Sequence, residues 1–439
     1  MSRPRPPTTG EPWLDAGQAA ALLGVQRSSL YSYVSRGLLR AHAVPGQRGK
    51  QYLQADVQRL ARQRQAVRNP AQLARSTMDW GQPVLASGIT LVQGGQFFYR
   101  GRNAVQLSGH ASLEETAALL WQQKMPFTPT TSAPEAIHAG ARAVTLAARI
   151  PRSADQALAA WHGMGLQSQA GQAPRQPPAG AWVLLHQMCD ALTGTTPPSH
   201  ASYVQAMQDG TGLAALHLRL AAHWCTDRQG TDLLRRALVL CADHELNASS
   251  FAARVVASTG ASLHASVGAG LAALSGPLHG GMTQQIAAHW QEWHRTPSFP
   301  ASLQTLLQAT QTGKTPNYCA GFGHPLYPTG DPRSISLLAQ LPPDADRERL
   351  VHRVLATTGL HPSLDYSLVA VEHALALPAG AAFVLFALGR TAGWIAHVLE
   401  QKASGQLIRP RAQYTGPVPQ MPQELPLSEI STPRRVIRF

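Results

Sequence analysis

Long alanine- and leucine-rich stretches, with few β-branched runs, constrain this chain most, because such segments favour helices over strands. From Ser112 onward they recur as amphipathic segments separated by Pro- and Gly-rich loops, of which 172–180 is one. The expected fold class is therefore mostly helical. A short strand-rich stretch, VLASGITLVQGGQFFYRG, precedes them, with Gly94-Gly95 as its turn. The most apolar run, Ala374 to Gly389, is too short to span a bilayer and is expected to be one buried helix.

At 439 residues the chain has room for two or three domains. Its net charge of +13 is uneven: residues 1–70 hold 11 Lys+Arg against 3 Asp+Glu. That local excess attracts polyanions such as nucleic acid. Cys189, Cys225, Cys241 and Cys319 form no CxxC pair, so neither a zinc ribbon nor a disulfide framework is expected, nor is any other metal site. The first residues, MSRPRPPTTGEPW, lack an apolar h-region, so a cytoplasmic protein without membrane contact is expected.

Residues 1–11 are read as a flexible leader rich in Pro, Thr and Arg. Asp15 is expected to cap a helix through Leu23, with Gly24 as the turn after it. A second helix runs from about Ser28 to Ser35. Leu39 to Leu53 reads as a basic hairpin with Pro45-Gly46 and Arg48-Gly49 at its tip. Asp56 is expected to cap a last helix ending near Arg68, and 69–77 is read as a linker.

Helix, turn, helix, basic hairpin and helix is the order of a winged helix-turn-helix, and VQRSSLYSYVSRGLL resembles the MerR and excisionase kind. The resemblance would aim Arg27, Ser28, Ser29 and Tyr31 at the major groove of duplex DNA, with Arg48 and Lys50 near phosphates. A tether or dimer contact is the alternative use of such a module.

Four further segments occur in one order. They are ADHELN (242–247), SGPLHGG (275–281), GFGH with DPR (321–324 and 331–333), and GRTAGWIAH with RPR (389–397 and 409–411). Together with Tyr99-Arg100-Gly101 they resemble the citrate synthase family across residues 75–420. The resemblance implies an all-α citrate synthase fold behind a small winged helix-turn-helix at 12–68. Its large domain would span 78–280 and 376–439. A small domain, 281–375, would close over the substrate and place the site in the cleft between them.

The implied reaction condenses acetyl-CoA with oxaloacetate and water to give citrate and CoA. It starts by removing a proton from the thioester methyl, a very weak carbon acid. A carboxylate of reference pKa ~3.9 does this only if the enolate is stabilised as it forms, so a base and two oxygen donors are required.

By the resemblance Asp365 is the base, although the familiar DFYSG pattern reads Asp365-Tyr366-Ser367-Leu368 here. The plain alternative is a helix-capping Asp. His279 would donate to the thioester oxygen as a neutral ring, and Gly280 and Gly281 would let substrate approach. Each such donor is worth roughly 2.7–4 kcal/mol of barrier. His324 would polarise the ketone, and Gly321 and Gly323 would contact CoA through their backbone.

His244 would bind oxaloacetate, its alternative being a core histidine within a helix. Arg333, Arg390 and Arg409 would fork the two carboxylates. Arg409 (with Arg411 as the neighbouring choice) would come from the partner of a homodimer. No cofactor is implied, since the CoA thioester is a substrate. A 2-methylcitrate synthase using propionyl-CoA and a DNA-binding metabolite sensor are the two other readings.

Overall fold

The computed structural model describes residues 13–35, 39–43, 49–54, 56–58, 60–61, 85–129, 150–169, 177–208, 213–296, 299–305, 320–412 and 414–417. The leader, the hairpin tip with Arg48, the 69–77 linker and Cys319 lie outside the described residues. The chain divides into two compact units, 1–84 with 409–439, and 85–408.

In the first unit, α1 (Ala16–Leu23) opens on a complete capping box. The Asp15 carboxylate accepts two backbone N–H groups, while Gln18 reaches back to the Asp15 N–H. Gly24 ends it in the left-handed region, φ +61°, as glycine permits. Next is α2 (Arg27–Ser35), which begins one residue before the expected start. Strands β1 (Trp13–Leu14), β2 (Ala41–Ala43) and β3 (Lys50–Leu53) pair antiparallel in the order β1-β3-β2.

Asp56 lies within helical residues rather than ahead of them. It is buried, and its carboxylate accepts the Arg40 backbone N–H at 3.0 Å and the guanidinium at 2.9 Å. Ala19, Leu23, Leu30, Tyr52 and Val57 give this unit its own core.

The second unit begins with the hairpin of β4 (Thr90–Gln93) and β5 (Gln96–Tyr99), continued by β6 (Arg102–Asn103). Gly94 and Gly95 both have positive φ, as a two-residue hairpin turn requires. The rest is helical. In order come α3 (Ala104–Ser108), α4 (Leu113–Trp121), α5 (Ala154–Gln169), α6 (Pro177–Thr193), α7 (His200–Gln208), α8 (Leu216–Trp224) and α9 (Arg228–Cys241). Then follow α10 (Ala248–Ser258), α11 (Leu263–Leu274), α12 (Met282–Arg295), α13 (Pro332–Leu338), α14 (Ala345–Thr358), α15 (Leu364–Ala374) and α16 (Ala381–Ser404).

Two sequence expectations are corrected. Part of the 172–180 loop is helix, because Pro177 opens α6 at a position where a missing N–H costs nothing. The apolar run 374–389 is not one helix: it holds the end of α15, a loop and the start of α16. Buried Glu372 starts α16 anew by accepting the Ala382 N–H at 2.8 Å.

At 24 residues α16 is long and apolar enough to cross a membrane, yet 94% of its apolar window is buried inside the fold. It packs against α4, α6, α9, α10, α11 and α15, and is the core helix of this unit.

Candidate active site

The centre of the site is Arg333, which is 3% exposed in the first turn of α13. Asp331 caps that helix and clasps the guanidinium with both oxygens, at 2.9 and 2.7 Å. The same carboxylate accepts the Leu364 N–H at 3.2 Å, which joins the starts of α13 and α15. Burial works against charge on Asp331, but the Arg333 charge and its hydrogen bonds hold the carboxyl below the usual range.

Between α9 and α10 the chain turns through Asp243 and His244. Tyr99 fixes this turn: its hydroxyl donates to the Val239 carbonyl at 3.0 Å and accepts the Asp243 N–H at 3.2 Å. The Asp243 carboxylate accepts from Thr90 at 2.5 Å and lies 3.2 Å from His397 Nε2 of α16. His244 is therefore a loop residue and not a histidine inside a helix.

His244 is buried, and its Nε2 meets the Tyr327 hydroxyl at 2.8 Å. Its ring packs edge-on against His324, with centroids 5.2 Å apart. Burial, then the Arg333 charge, keeps the His244 pKa well below its usual value.

His324 follows a loop whose shape depends on glycine. Gly321 and Gly323 have φ of +82° and +81°. The Gly321 carbonyl accepts the Ser363 N–H at 2.8 Å, and the Gly323 N–H donates to the His361 carbonyl at 2.7 Å. Those two backbone groups serve this pairing, which sets the His324 loop beside the approach to Asp365.

His324 Nδ1 accepts the Leu326 N–H at 3.2 Å, so a neutral ring carries its hydrogen on Nε2. Burial, then Arg333, lowers its pKa to about 4.

His279 is held from the other side. Its Nε2 lies 2.9 Å from Ser249 Oγ in the first turn of α10, and the indole of Trp394 donates to the same oxygen at 3.0 Å. Burial, then Arg390 and Arg333, takes the His279 pKa down to about 3. The glycines after it have a packing role. A Cβ on Gly281 would lie 2.4 Å from the Ser275 carbonyl oxygen, and one on Gly280 would lie 2.7 Å from Leu274 Cγ. Backbone crowding, and not only room for a substrate, requires both.

Asp365 stands in the first turn of α15 and does not cap it, since the N-cap is Ser363. The Ser363 hydroxyl reaches Asp365 Oδ2 at 3.4 Å. Burial raises the carboxyl to about 6, against the opposing pull of Arg333. A carboxyl near that value is a far better proton acceptor than an ordinary aspartate.

Arg390 lies in the middle of α16 and is 1% exposed. Its Nε donates to the Cys241 carbonyl at 2.8 Å, and its guanidinium sits over the Phe386 ring at 5.0 Å. Among the described residues it has no ion-pair partner. Burial lowers its pKa, against the opposing pull of the Asp243 charge. A buried, unpaired guanidinium is costly unless an anion joins it.

His244, His279, His324, Arg333, Arg390 and Asp365 thus come together around one pair of guanidinium groups. Arg409 and Arg411 are exposed and belong to the first unit. Sequence reasoning missed Ser249, Asp331, Tyr327 and Trp394. Asp331 had a usable signal, its place in a DPR helix start.

Residues 77–411 match the family model described as the citrate synthase C-terminal domain. This chain belongs to the citrate synthase family. Residues 13–65 match a helix-turn-helix domain model. Citrate synthase 2 of Bacillus subtilis (strain 168) is 34% identical over 196 residues, or 42% of this chain and 51% of the relative. The citrate/2-methylcitrate synthase of the same organism is 37% identical over 193 residues, 42% of this chain and 50% of the relative.

The chain thus spans about half the length of the curated citrate synthases it matches. A solved citrate synthase from Thermotoga maritima MSB8 superposes at a TM-score of 0.51 and 24% identity, covering 80% of this chain and 98% of that one. The all-α citrate synthase fold is shared.

In the first unit Ser28, Tyr31 and Lys50 are exposed and Ser29 is half-buried. Lys50 Nζ lies 5.7 Å from the Tyr31 ring centroid. The Arg27 guanidinium folds over α1, where a Cβ on Gly17 would meet its Nη2 at 2.8 Å.

Proposed function

We propose that this citrate synthase family member condenses acetyl-CoA with oxaloacetate and water, releasing citrate and CoA. The observation that carries the reading is Arg390, a buried cation without an ion-pair partner among the described residues, set beside Arg333 and three histidines with depressed pKa values. Two guanidinium groups suit the carboxylates of a small diacid, and the uncharged rings act as donors without adding charge.

Asp365 removes a proton from the thioester methyl group. His279 then stabilises the enolate oxygen. Ser249 Oγ must accept the Trp394 N–H, and its own hydrogen has two acceptors in reach, Asn247 Oδ1 at 2.7 Å and His279 Nε2 at 2.9 Å. Asn247 Oδ1 already accepts two backbone N–H groups. Turned toward His279 Nε2, the Ser249 hydrogen places the ring hydrogen on Nδ1, ready to donate to substrate. His324 Nε2–H polarises the ketone oxygen and meets the developing alkoxide, while His244 and the arginines hold the diacid.

The full site is proposed to include Arg409 from the second subunit of a homodimer, with closure of 281–375 over oxaloacetate excluding water. CoA release measured with acetyl-CoA and with propionyl-CoA, each with oxaloacetate, tests the reading. A clear preference for propionyl-CoA would make the protein a 2-methylcitrate synthase, and no release with either would overturn the assignment.

A second activity rests on the first unit. Its helix-turn-helix match, its separate core and the exposed Ser28, Tyr31 and Lys50 support duplex DNA binding. A metabolite-sensing regulator would combine both units. A gel shift of the full chain with and without oxaloacetate tests that combination.

A further inference from the structure

Two helices carry the proposed chemistry at their starts. α12 begins directly after His279-Gly280-Gly281, and α15 holds Asp365 in its first turn. Between them lies a cluster of aromatic rings that the mechanism above does not use. Trp290 of α12 is sandwiched between His294 of its own helix, at 3.8 Å between centroids, and His373 of α15, at 4.6 Å and an interplanar angle of 7°. His294 Nε2 meets the Tyr366 hydroxyl of α15 at 3.0 Å, while its Nδ1 lies 2.7 Å from the Trp290 carbonyl oxygen.

The hydrogen-bond directions follow from the chemistry of the partners. A carbonyl oxygen only accepts, so Nδ1 carries the ring hydrogen and Nε2 accepts from Tyr366. Tyr366 is 0% exposed and His294 6%, so the Tyr366 hydroxyl and His294 Nε2 each depend on the other for a polar contact. Tyr366 directly follows Asp365. It also touches the third part of the site, because a Cβ on Gly321 would lie 3.0 Å from Tyr366 Cβ and 2.6 Å from Ile286 Cδ1 of α12. In the family pattern named above, a phenylalanine occupies the Tyr366 position. A phenylalanine would fill the space but would leave His294 Nε2 without its donor.

Resting on the proposed condensation, we infer that Tyr366 and His294, with Trp290 stacked between His294 and His373, are positioning residues that lock α12 to α15 and so set the spacing of His279 and Asp365. Neither need touch a substrate. Their effect on turnover passes through the geometry of the base and the donor, where a small misplacement slows the chemical step more than it weakens binding.

The test uses the full-length protein with Tyr366→Phe, His294→Phe, the double variant and His294→Gln, whose amide can accept at the place of Nε2. Tyr366→Phe and His294→Phe should each lower kcat about tenfold, equivalent to ~1.4 kcal/mol of barrier, with the KM for oxaloacetate within about twofold of wild type. The double variant should be no worse than the singles, because both break one interaction. His294→Gln should retain most of kcat.

Hydrogen exchange gives a readout independent of turnover. In Tyr366→Phe the amides of 279–281 and of the first turn of α15 should lose protection together, while those in the middle of α16 keep theirs. Wild-type kcat in Tyr366→Phe, additive losses in the double variant, or unchanged exchange at both helix starts would each overturn the inference. If the wild-type protein releases no CoA from any acyl-CoA, the condensation reading fails, and the exchange result alone decides whether the lock exists.

Discussion

Ser363 donates its backbone N–H to the carbonyl oxygen of Gly321 at 2.8 Å, so the chain leading into Asp365 and the chain leading into His324 share one short antiparallel pairing. The proposed base, in the first turn of α15, and the proposed ketone-polarising donor, in the loop before α13, are thereby placed by backbone geometry.

Substituting Gly321 tests that arrangement most directly. At φ +82°, with a new Cβ 2.6 Å from Ile286 Cδ1, Gly321→Ala suffers both backbone strain and a clash. A loss of about 1–3 kcal/mol in stability is expected, together with a fall in kcat of tenfold or more. Thermal unfolding and steady-state CoA release check both, and a variant with unchanged Tm and kcat would mean that the loop adjusts freely.

Asp365→Asn should lower turnover by about a thousandfold or more while oxaloacetate still binds, since the change removes a transition-state interaction and leaves the ground state largely intact. The wild-type pH profile carries the matching signature. The base must be ionised, so kcat/KM should fall about tenfold per unit of pH below the raised Asp365 value of about 6.

The sign for stability is opposite. A carboxyl whose pKa rises on folding disfavours the folded state once it ionises, so Asp365→Asn should raise Tm at pH 8 and change it little at pH 4. Equal Tm shifts at the two pH values would remove Asp365 as the raised carboxyl.

Ser249→Ala removes the hydroxyl that lies within hydrogen-bond reach of His279 Nε2 and leaves the Trp394 N–H without its acceptor. A drop of roughly 10- to 100-fold in kcat is expected, smaller than the loss of a donor that itself touches the developing oxyanion, because Ser249 only orients the His279 ring. The KM for oxaloacetate should move much less. A rise in KM at constant kcat would place Ser249 in substrate binding instead.

The proposed homodimer makes a complementation experiment decisive. Arg409→Ala and His279→Ala homodimers should each be nearly inactive, whereas mixed dimers should regain activity at the one site that is complete. Absence of recovery in verified mixed dimers would count against a shared site.

For the first unit, gel-shift titration of the full chain on duplex DNA should show affinity falling steeply with salt, because each neutralised phosphate releases counterions. Lys50→Ala should weaken binding across sequences, whereas Tyr31→Ala should also alter sequence preference. No shift at low salt would assign the module to tethering or assembly.

Much of this was legible in the sequence, for particular reasons. Histidines beside glycine pairs, arginines in DPR and in an apolar run, and Asp15 before an alanine-rich helix are local signals that survive without coordinates. What stayed hidden depends on contacts between distant segments. Ser249 is one serine of a run until Trp394, 145 residues later, donates to it. The packing role of Gly280 and Gly281 depends on how closely the end of α11 returns to the turn. The break between α15 and α16 had its signal in Pro378 and Gly380, but the apolar composition on both sides of them reads as one helix, and only the structure shows Gly380 at φ +94° and Glu372 accepting the Ala382 N–H where the second begins.

The central position of α16 also bears on how the protein is made. Every helix that packs on it precedes it in the chain, so during synthesis those apolar faces emerge from the ribosome before their common partner exists. The second unit therefore cannot complete its core until residue 404 has been translated, whereas the small core formed by residues 19–60 has no such wait. Until then the nascent chain exposes the apolar faces that α16 covers, the kind of surface that makes an incompletely folded chain prone to aggregate.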